Sequence, residues 1–377
     1  MRENNEVAHI IERFADEFIK THQPNSWVLR NLNALRLCRT AALGGHKDQC
    51  DYCGKVHISY NSCGNRHCPK CQSARQAFWI EDVSSRIVDT KYFHIVFTVP
   101  EELNKICITD SKIFYNLLFN SVWTSLRTLG YSYYGVETGA IAVLHTWGQT
   151  LSLHPHIHCL VPAAGIDILG NIKKISQKGK YLYPQGRICI DFRSVMMKKI
   201  KNHLKIKGIL SKYQSIIETA WSKRWGVYIE PSFTDAEYVI KYLGNYTHRI
   251  AISNSRIQKI DKETVGFYYK DYMDKSKRKL ITLSGVEFLR RFCLHILLKG
   301  FVKVRYYGIL SNRFAKLTAM HRITKVKRKE TVQERMKRLI GYDVYQCPYC
   351  KQGRMHRIEE LPRIRSPCVT PEQIIHL

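Results

Sequence analysis

The residue pattern predicts an α+β protein. Strand-like and helix-like segments follow one another irregularly, without the strict alternation that builds a parallel sheet. A Cys-, His- and Gly-rich stretch at 44–72 shows little period of either kind and reads as a small metal-organised module. Two β-branched runs, IAVLHTW (141–147) and HPHIHCLV (154–161), are joined by WGQTLSL, short enough for an antiparallel hairpin.

The other elements follow in chain order. Val7, Ile10, Ile11, Phe14 and Phe18 recur at helical spacing, so residues 7–22 form an amphipathic helix. A second helix is expected at about 73–88, after the cysteine module. YFHIVFTVP, from Tyr92, is β-branched and aromatic and ends in proline, which marks a strand. Residues 110–128 read as helix, 165–190 as a polar, Lys-rich loop or edge hairpin, and 192–222 as helix. Thr234, with Glu237 three residues on, is a capping box that opens another helix. Short strand-like runs such as VGFYYKD follow Arg249, and FLRRFCLHILLKGFVKVRYYG then crowds apolar, aromatic and basic residues together. The chain divides into a helical and cysteine-rich region (1–88), a central region of irregularly alternating strand-like and helical runs (89–320) and a basic C-terminal segment (321–377).

Lys and Arg number 60 against 31 Asp and Glu, a formal net charge of +29. Solubility alone calls for roughly 2–8 charges on a small domain. Such an excess draws polyanions from a distance, nucleic acid first and an anionic membrane second. An apolar fraction of 45% fits a folded chain. The polar, then amphipathic N-terminus is no secretory signal, and no run of about 18 apolar residues could span a membrane. A cytoplasmic, reducing location is therefore expected. Six of the 13 cysteines lie in C-x-x-C pairs, which in that setting suggests metal rather than disulfides.

Cys50 with Cys53 and Cys68 with Cys71 are two such knuckles. Each C-x-x-C turn offers two thiolates to one side of a metal, and two turns together make a tetrahedral structural zinc site. His46, His57, Cys63 and His67 lie beside them and could build a second site or replace a thiol. Cys347 and Cys350 form a third pair, with His356, Cys368 and His321 as candidate partners among which the sequence does not choose.

His156 and His158 sit two apart on a strand and so share a face. If His145 pairs opposite His156, three imidazoles converge on one point. Such a site with open positions suits metal-assisted phosphoryl chemistry. His154 could serve instead of His145 but lies further along the strand. Tyr238, Tyr242 and Tyr246 recur every four residues, one stripe of a helix whose Val239, Ile240 and Leu243 face the core. Gly244 interrupts that stripe, as if a DNA strand had to approach closely.

Six ordered blocks resemble one family across nearly the whole chain: SCGNRHCPKCQ, YFHIVFTVP, HTWGQTLSLHPHIHCLVPAAG, YLGNYTHRIAISNSRI, FLRRFCLHILLKGF and VRYYGILSNR. Together they resemble the HUH rolling-circle transposases of bacterial insertion sequences, in particular the two-tyrosine group with an N-terminal zinc-binding domain. The resemblance implies a ferredoxin-like antiparallel sheet with the histidine strand at its centre. It implies His156 and His158 as the paired metal ligands, His145 as the third, and Tyr242 and Tyr246 as nucleophiles. Tyr238 lies outside the tyrosine block and reads as structural. The implied chemistry uses a divalent ion, magnesium or manganese, and no ATP. A tyrosine cuts single-stranded DNA at the transposon ends, leaving a 5′-phosphotyrosine and a 3′-OH. A replication initiator or relaxase would share that chemistry, and a zinc-dependent DNA-binding protein without catalysis is the alternative of another class.

Overall fold

The computed structural model describes residues 5–84, 87–175, 182–230, 244, 247, 250–314 and 329–364. In chain order, α1 (Val7–His22) and α2 (Ser26–Arg36) precede β1 (Gly45–Cys50), β2 (Val56–Tyr60) and α3 (Gln72–Ser84). Next come β3 (Tyr92–Thr98), α4 (Asn104–Thr109), α5 (Ser111–Tyr134), β4 (Gly139–Trp147) and β5 (Leu153–Pro162). A small hairpin, β6 (Ala164–Ile166) and β7 (Ile172–Lys174), leads to α6 (Gln185–Ile206), α7 (Gln214–Ser222) and β8 (Gly226–Ile229). The last elements are β9 (Ile257–Ile260), β10 (Thr264–Asp271), β11 (Lys277–Ser284), α8 (Gly285–Cys293), β12 (Val304–Gly308), α9 (Val332–Ile340) and β13 (Met355–Leu361).

Five antiparallel strands run in the order β12-β4-β5-β3-β8. Without the edge strand β12, the path β3-α5-β4-β5-α6-β8 and the spatial order 4-5-3-8 are those of the ferredoxin-like βαββαβ unit. The α+β class and the antiparallel sheet expected from the sequence are both present. The histidine strand β5 lies at its middle, with β4 on one side and β3 on the other.

Strand alternation sorts the sheet into two faces. Phe93, Ile95 and Phe97 of β3, Ala140, Ala142 and Leu144 of β4, and Ile157, Cys159 and Val161 of β5 pack beneath α5 and α6. The opposite face carries Tyr92, Ile141, Val143 and Leu160, covered by Val83, Trp79 and Ile80 of α3. His94, His145, His156 and His158 share the parity of this second face.

A second core joins α1 and α2 to α8 and the sheet β11-β10-β9, so residues from both sides of the division at 88 meet in it. Phe14 lies so close over Gly285 that a Cβ there would stand 2.2 Å from its ring. A third unit, the sheet β13-β1-β2, is built from both ends of the chain. The basic segment after 320 is thus tied to the N-terminal module: Arg335 of α9 also reaches Glu81 and Asp82 of α3, each at 2.7 Å.

Local boundaries moved for identifiable reasons. The helix expected at 192–222 is two, because Gly208, at φ +68°, ends α6. The amides of Gly208 and Ile209 donate to Lys205 O and Leu204 O, a Schellman closure. The region 165–190 holds the β6–β7 hairpin and the start of α6. The capping box at Thr234 and Glu237 lies outside the described residues.

Candidate active site and metal centres

The antiparallel register of β4 and β5 places His145 opposite His156 and Val143 opposite His158. Two residues of one strand and one of its neighbour then present their imidazoles on one face. One ring nitrogen from each lies within 4.8 Å of the others. Ring centroids are 5.3 Å apart for His145–His156, 4.6 Å for His145–His158 and 4.9 Å for His156–His158. His145 and His158 are buried and His156 is half-buried, so the cluster opens to solvent on one side. His154 is exposed and stands outside the group; its carbonyl, not its ring, serves the site.

The hydrogen bonds behind the rings fix which nitrogen can act as ligand. His156 Nδ1 lies 2.7 Å from His154 O and must donate to it, which makes Nε2 the lone-pair atom. His158 Nδ1 lies 2.9 Å from His94 Nε2, and His94 Nδ1 lies 3.0 Å from Glu230 Oε2. With one proton on His94, the chain runs in one direction. The Glu230 carboxylate beside His94 Nδ1 favours the proton there by its charge, so His158 Nδ1–H donates to His94 Nε2 and His158 Nε2 keeps its lone pair. The two rings lie nearly coplanar, their planes 2° apart, and meet edge to edge through that bond. Backbone pairing holds the partner in place, since Glu230 N donates to His94 O at 2.9 Å.

Sequence reasoning missed His94 and Glu230. The signal for His94 was a polar residue in an apolar strand, two positions after Tyr92 and on the same face. Glu230, just past β8, gave no signal, because only the β3–β8 pairing brings it near.

Three neutral nitrogens on one face fit a borderline divalent ion and leave its remaining positions to oxygen ligands. The flank is basic. Trp147 stacks on His145 at 4.6 Å, and Lys303 Nζ lies 5.0 Å from the Trp147 ring. Burial, with Arg66 nearby, pushes the Lys303 ammonium down to about 7. Burial also lowers His295, whose ring bonds Thr146 Oγ1 and Leu151 O, to about 4. Trp147, Arg66, His67, His295 and Lys303 line one small cavity beside the histidines.

Tyr242, Tyr246 and Tyr238 lie outside the described residues, but Gly244 and Thr247 between and beside them are helical and buried. Gly244 packs on α3: a Cβ there would stand 2.4 Å from Ile80 Cγ1. The close approach that explains this glycine is therefore a helix–helix contact with the protein's own Ile80, where the sequence suggested DNA. Ile80 belongs to the layer covering the histidine face of the sheet.

The cysteines pair differently from the sequence expectation. Cys50, Cys53, Cys68 and Cys71 do not share one site. Cys68 and Cys71 join Cys38 and Cys63, with Sγ separations of 3.5 Å for Cys38–Cys68 and Cys38–Cys71 and 3.7 Å for Cys63–Cys71. Cys50 and Cys53 join Cys347 and Cys350. The reason is topological: β1 and β2 carry the first knuckle away from the second and lay it against β13. Thiolates about 2.3 Å from a tetrahedral zinc stand roughly 3.8 Å apart, so the first group fits zinc. The amides of Cys63 and Asn65 point at Cys38 Sγ and Cys63 Sγ at 3.4 Å, a pattern that stabilises thiolate charge. Cys38, a single cysteine outside any pair, could not have been found by spacing. Of the other candidates, His46 pairs with Asp48, His57 lies near Tyr349, and His67 lines the cavity beside Lys303. His356 bonds Asp51, and Cys368 and His321 lie outside the described residues.

Two family models match the chain: one described as "Putative transposase" over residues 139–317, the other as "Transposase zinc-binding domain" over residues 10–99. The chain is 36% identical over 390 residues to "Putative transposase y4qJ" of Sinorhizobium fredii, covering 97% of this chain and 98% of that protein. It is 28% identical over 289 residues to "Transposase for insertion sequence element IS801" of Pseudomonas savastanoi pv. phaseolicola, covering 73% of this chain and 68% of the relative. No solved structure matches it.

Proposed function

Because the chain belongs to this family of insertion-sequence transposases, we propose that it nicks and rejoins single-stranded DNA through a 5′-phosphotyrosine, moving its element by a rolling-circle route. The observation that carries this reading is the convergence of His145, His156 and His158 on the sheet face whose covering helix α3 also packs on Gly244 of the tyrosine block.

In this reading His145, His156 and His158 hold a divalent ion, magnesium or manganese. Such an ion, when bound, withdraws charge from the scissile phosphate and steadies the charge that develops on it. Tyr242 or Tyr246 attacks phosphorus through its hydroxyl oxygen. The Tyr O–P bond forms as the P–O3′ bond breaks; the phenol gives up its proton and the departing O3′ gains one. The tyrosyl ester conserves the phosphodiester bond, so rejoining needs no nucleotide cofactor. A 3′-OH later attacks the ester and returns the tyrosine. Gly244, between the two tyrosines in sequence, lies close against Ile80 of α3.

The test is a covalent adduct. Full-length protein, manganese and labelled single strands spanning the element's ends should give a protein–DNA species that survives denaturation. Tyr242→Phe with Tyr246→Phe should form none yet still bind the strand, because only the hydroxyls are lost. His156→Ala and His158→Ala should each abolish cleavage, while Tyr238→Phe keeps it. A DNA-linked peptide containing neither Tyr242 nor Tyr246 would overturn the assignment. Tight binding without any adduct from the unaltered chain would leave a DNA-binding protein only.

A further inference from the structure

We propose that Cys50, Cys53, Cys347 and Cys350 bind a second structural zinc ion, which closes the chain by joining knuckles some 300 residues apart. Neither family model reaches Cys347 and Cys350. The inference does not depend on the chemistry of the histidine site.

The sulfurs have the arrangement of a tetrathiolate. Cys50–Cys350 and Cys53–Cys347 are each 3.7 Å apart, and all four lie within 4.8 Å of one another. That is close to the roughly 3.8 Å edge of a zinc–sulfur tetrahedron and well beyond the S–S bond of about 2.0 Å. The two knuckles are also built alike. In each, the carbonyl of the first cysteine accepts from the amide four residues on: Gly54 N to Cys50 O at 3.1 Å and Lys351 N to Cys347 O at 3.1 Å. In each, that fourth residue is left-handed, with φ +69° at Gly54 and +61° at Lys351. In each, an amide points at a sulfur, Cys53 N to Cys50 Sγ at 3.5 Å and Gly353 N to Cys350 Sγ at 3.4 Å.

Their approach is specific. A Cβ at Gly353 would stand 2.4 Å from Cys50 Sγ and 2.6 Å from Tyr52 Cβ, so only glycine lets one knuckle seat on the other. Asp51 Oδ1 accepts from Arg354 N at 2.7 Å, and Asp51 N donates to Arg354 O at 3.1 Å, which locks the register.

The surrounding sheet has little else to hold it. The buried group here is Cys50, Cys347 and Met355, with Cys53 and Cys350 against them. Val56, Ile58 and Tyr60 of β2 are each at least 40% exposed, and β13 is exposed along most of its length. A three-stranded sheet without an apolar layer is marginal in water, and a metal supplies the missing free energy of folding.

Zinc bound to the full-length protein, counted by native mass spectrometry, tests this. The count is made in a His156→Ala, His158→Ala background so that the histidine site does not contribute. Two zinc ions per chain are expected. Adding Cys347→Ser and Cys350→Ser should leave one, with faster proteolysis after residue 341. If those serine variants do not fold, cadmium-113 spectra of the unaltered chain serve instead and should show two all-thiolate resonances. One ion or one resonance in the intact chain would overturn the proposal. So would two zinc ions retained by the serine variant, or a Cys50–Cys350 or Cys53–Cys347 disulfide in peptides from protein kept reduced until alkylation.

Discussion

At the scale of single residues, the histidine cluster is as much a matter of what stands behind the rings as of the rings themselves. His94 and Glu230 fix the tautomer of His158 by a two-step relay, and His154 O fixes that of His156. Such supports commonly contribute 10–100-fold in metal affinity. His94→Phe keeps an aromatic ring beside His158 and removes its nitrogen acceptor. Manganese affinity, measured by calorimetry on the full chain, should fall about 10–100-fold, and Glu230→Gln should fall less. Unchanged affinity in His94→Phe would mean that the relay is only packing. His94 was partly legible, as a polar residue in a strand of apolar ones. Glu230 was not, because it reaches the site across the β3–β8 pairing.

At the scale of elements, α3 is the joint of the molecule. It starts directly after Cys71, lays Trp79, Ile80 and Val83 on the histidine face of the sheet, receives Gly244 on Ile80 and pairs Glu81 and Asp82 with Arg335 of α9. Gly244→Ala should force its Cβ into Ile80 and lower adduct formation while leaving zinc content unchanged. Ile80→Ala, which clears the space, should restore much of the activity to the Gly244→Ala chain. If the double variant is no better than the single one, the glycine serves something other than this contact. The existence of α3 was readable from sequence. Its partners were not, since Ile80 and Gly244 are far apart along the chain and neither carries a motif.

At the scale of the whole molecule, a charge of +29 belongs to a chain in which β13 pairs with β1 across some 300 residues of sequence. Each phosphate held by Lys or Arg releases a condensed counterion, about 0.7 per contact on a single strand. Affinity for a single-stranded oligonucleotide should therefore fall at least about 10²-fold between 50 and 200 mM salt. Binding indifferent to salt would show that the charge serves solubility. Among the described residues, no helix is long and apolar enough to cross a membrane.

What the sequence by itself determined is what depends on neighbours along the chain. The period of α1, the β-branched and aromatic runs of β3, β4 and β5, and the i, i+2 placement of His156 and His158 are local, so they read directly from residue order. The hairpin register that brings His145 opposite His156 is nearly local, set by one short connection. The cysteine pairing lay beyond that reach. A C-x-x-C turn fixes two sulfurs and says nothing about which second pair meets them. That was decided when β13 came back from the far end of the chain to pair with β1, and when Cys38 joined Cys63 at the opposite pole of the module. Of the strands involved, GHKDQC is short and polar, and VHISY alternates apolar and polar residues but leaves Val56, Ile58 and Tyr60 exposed, so no buried face marks where either strand pairs.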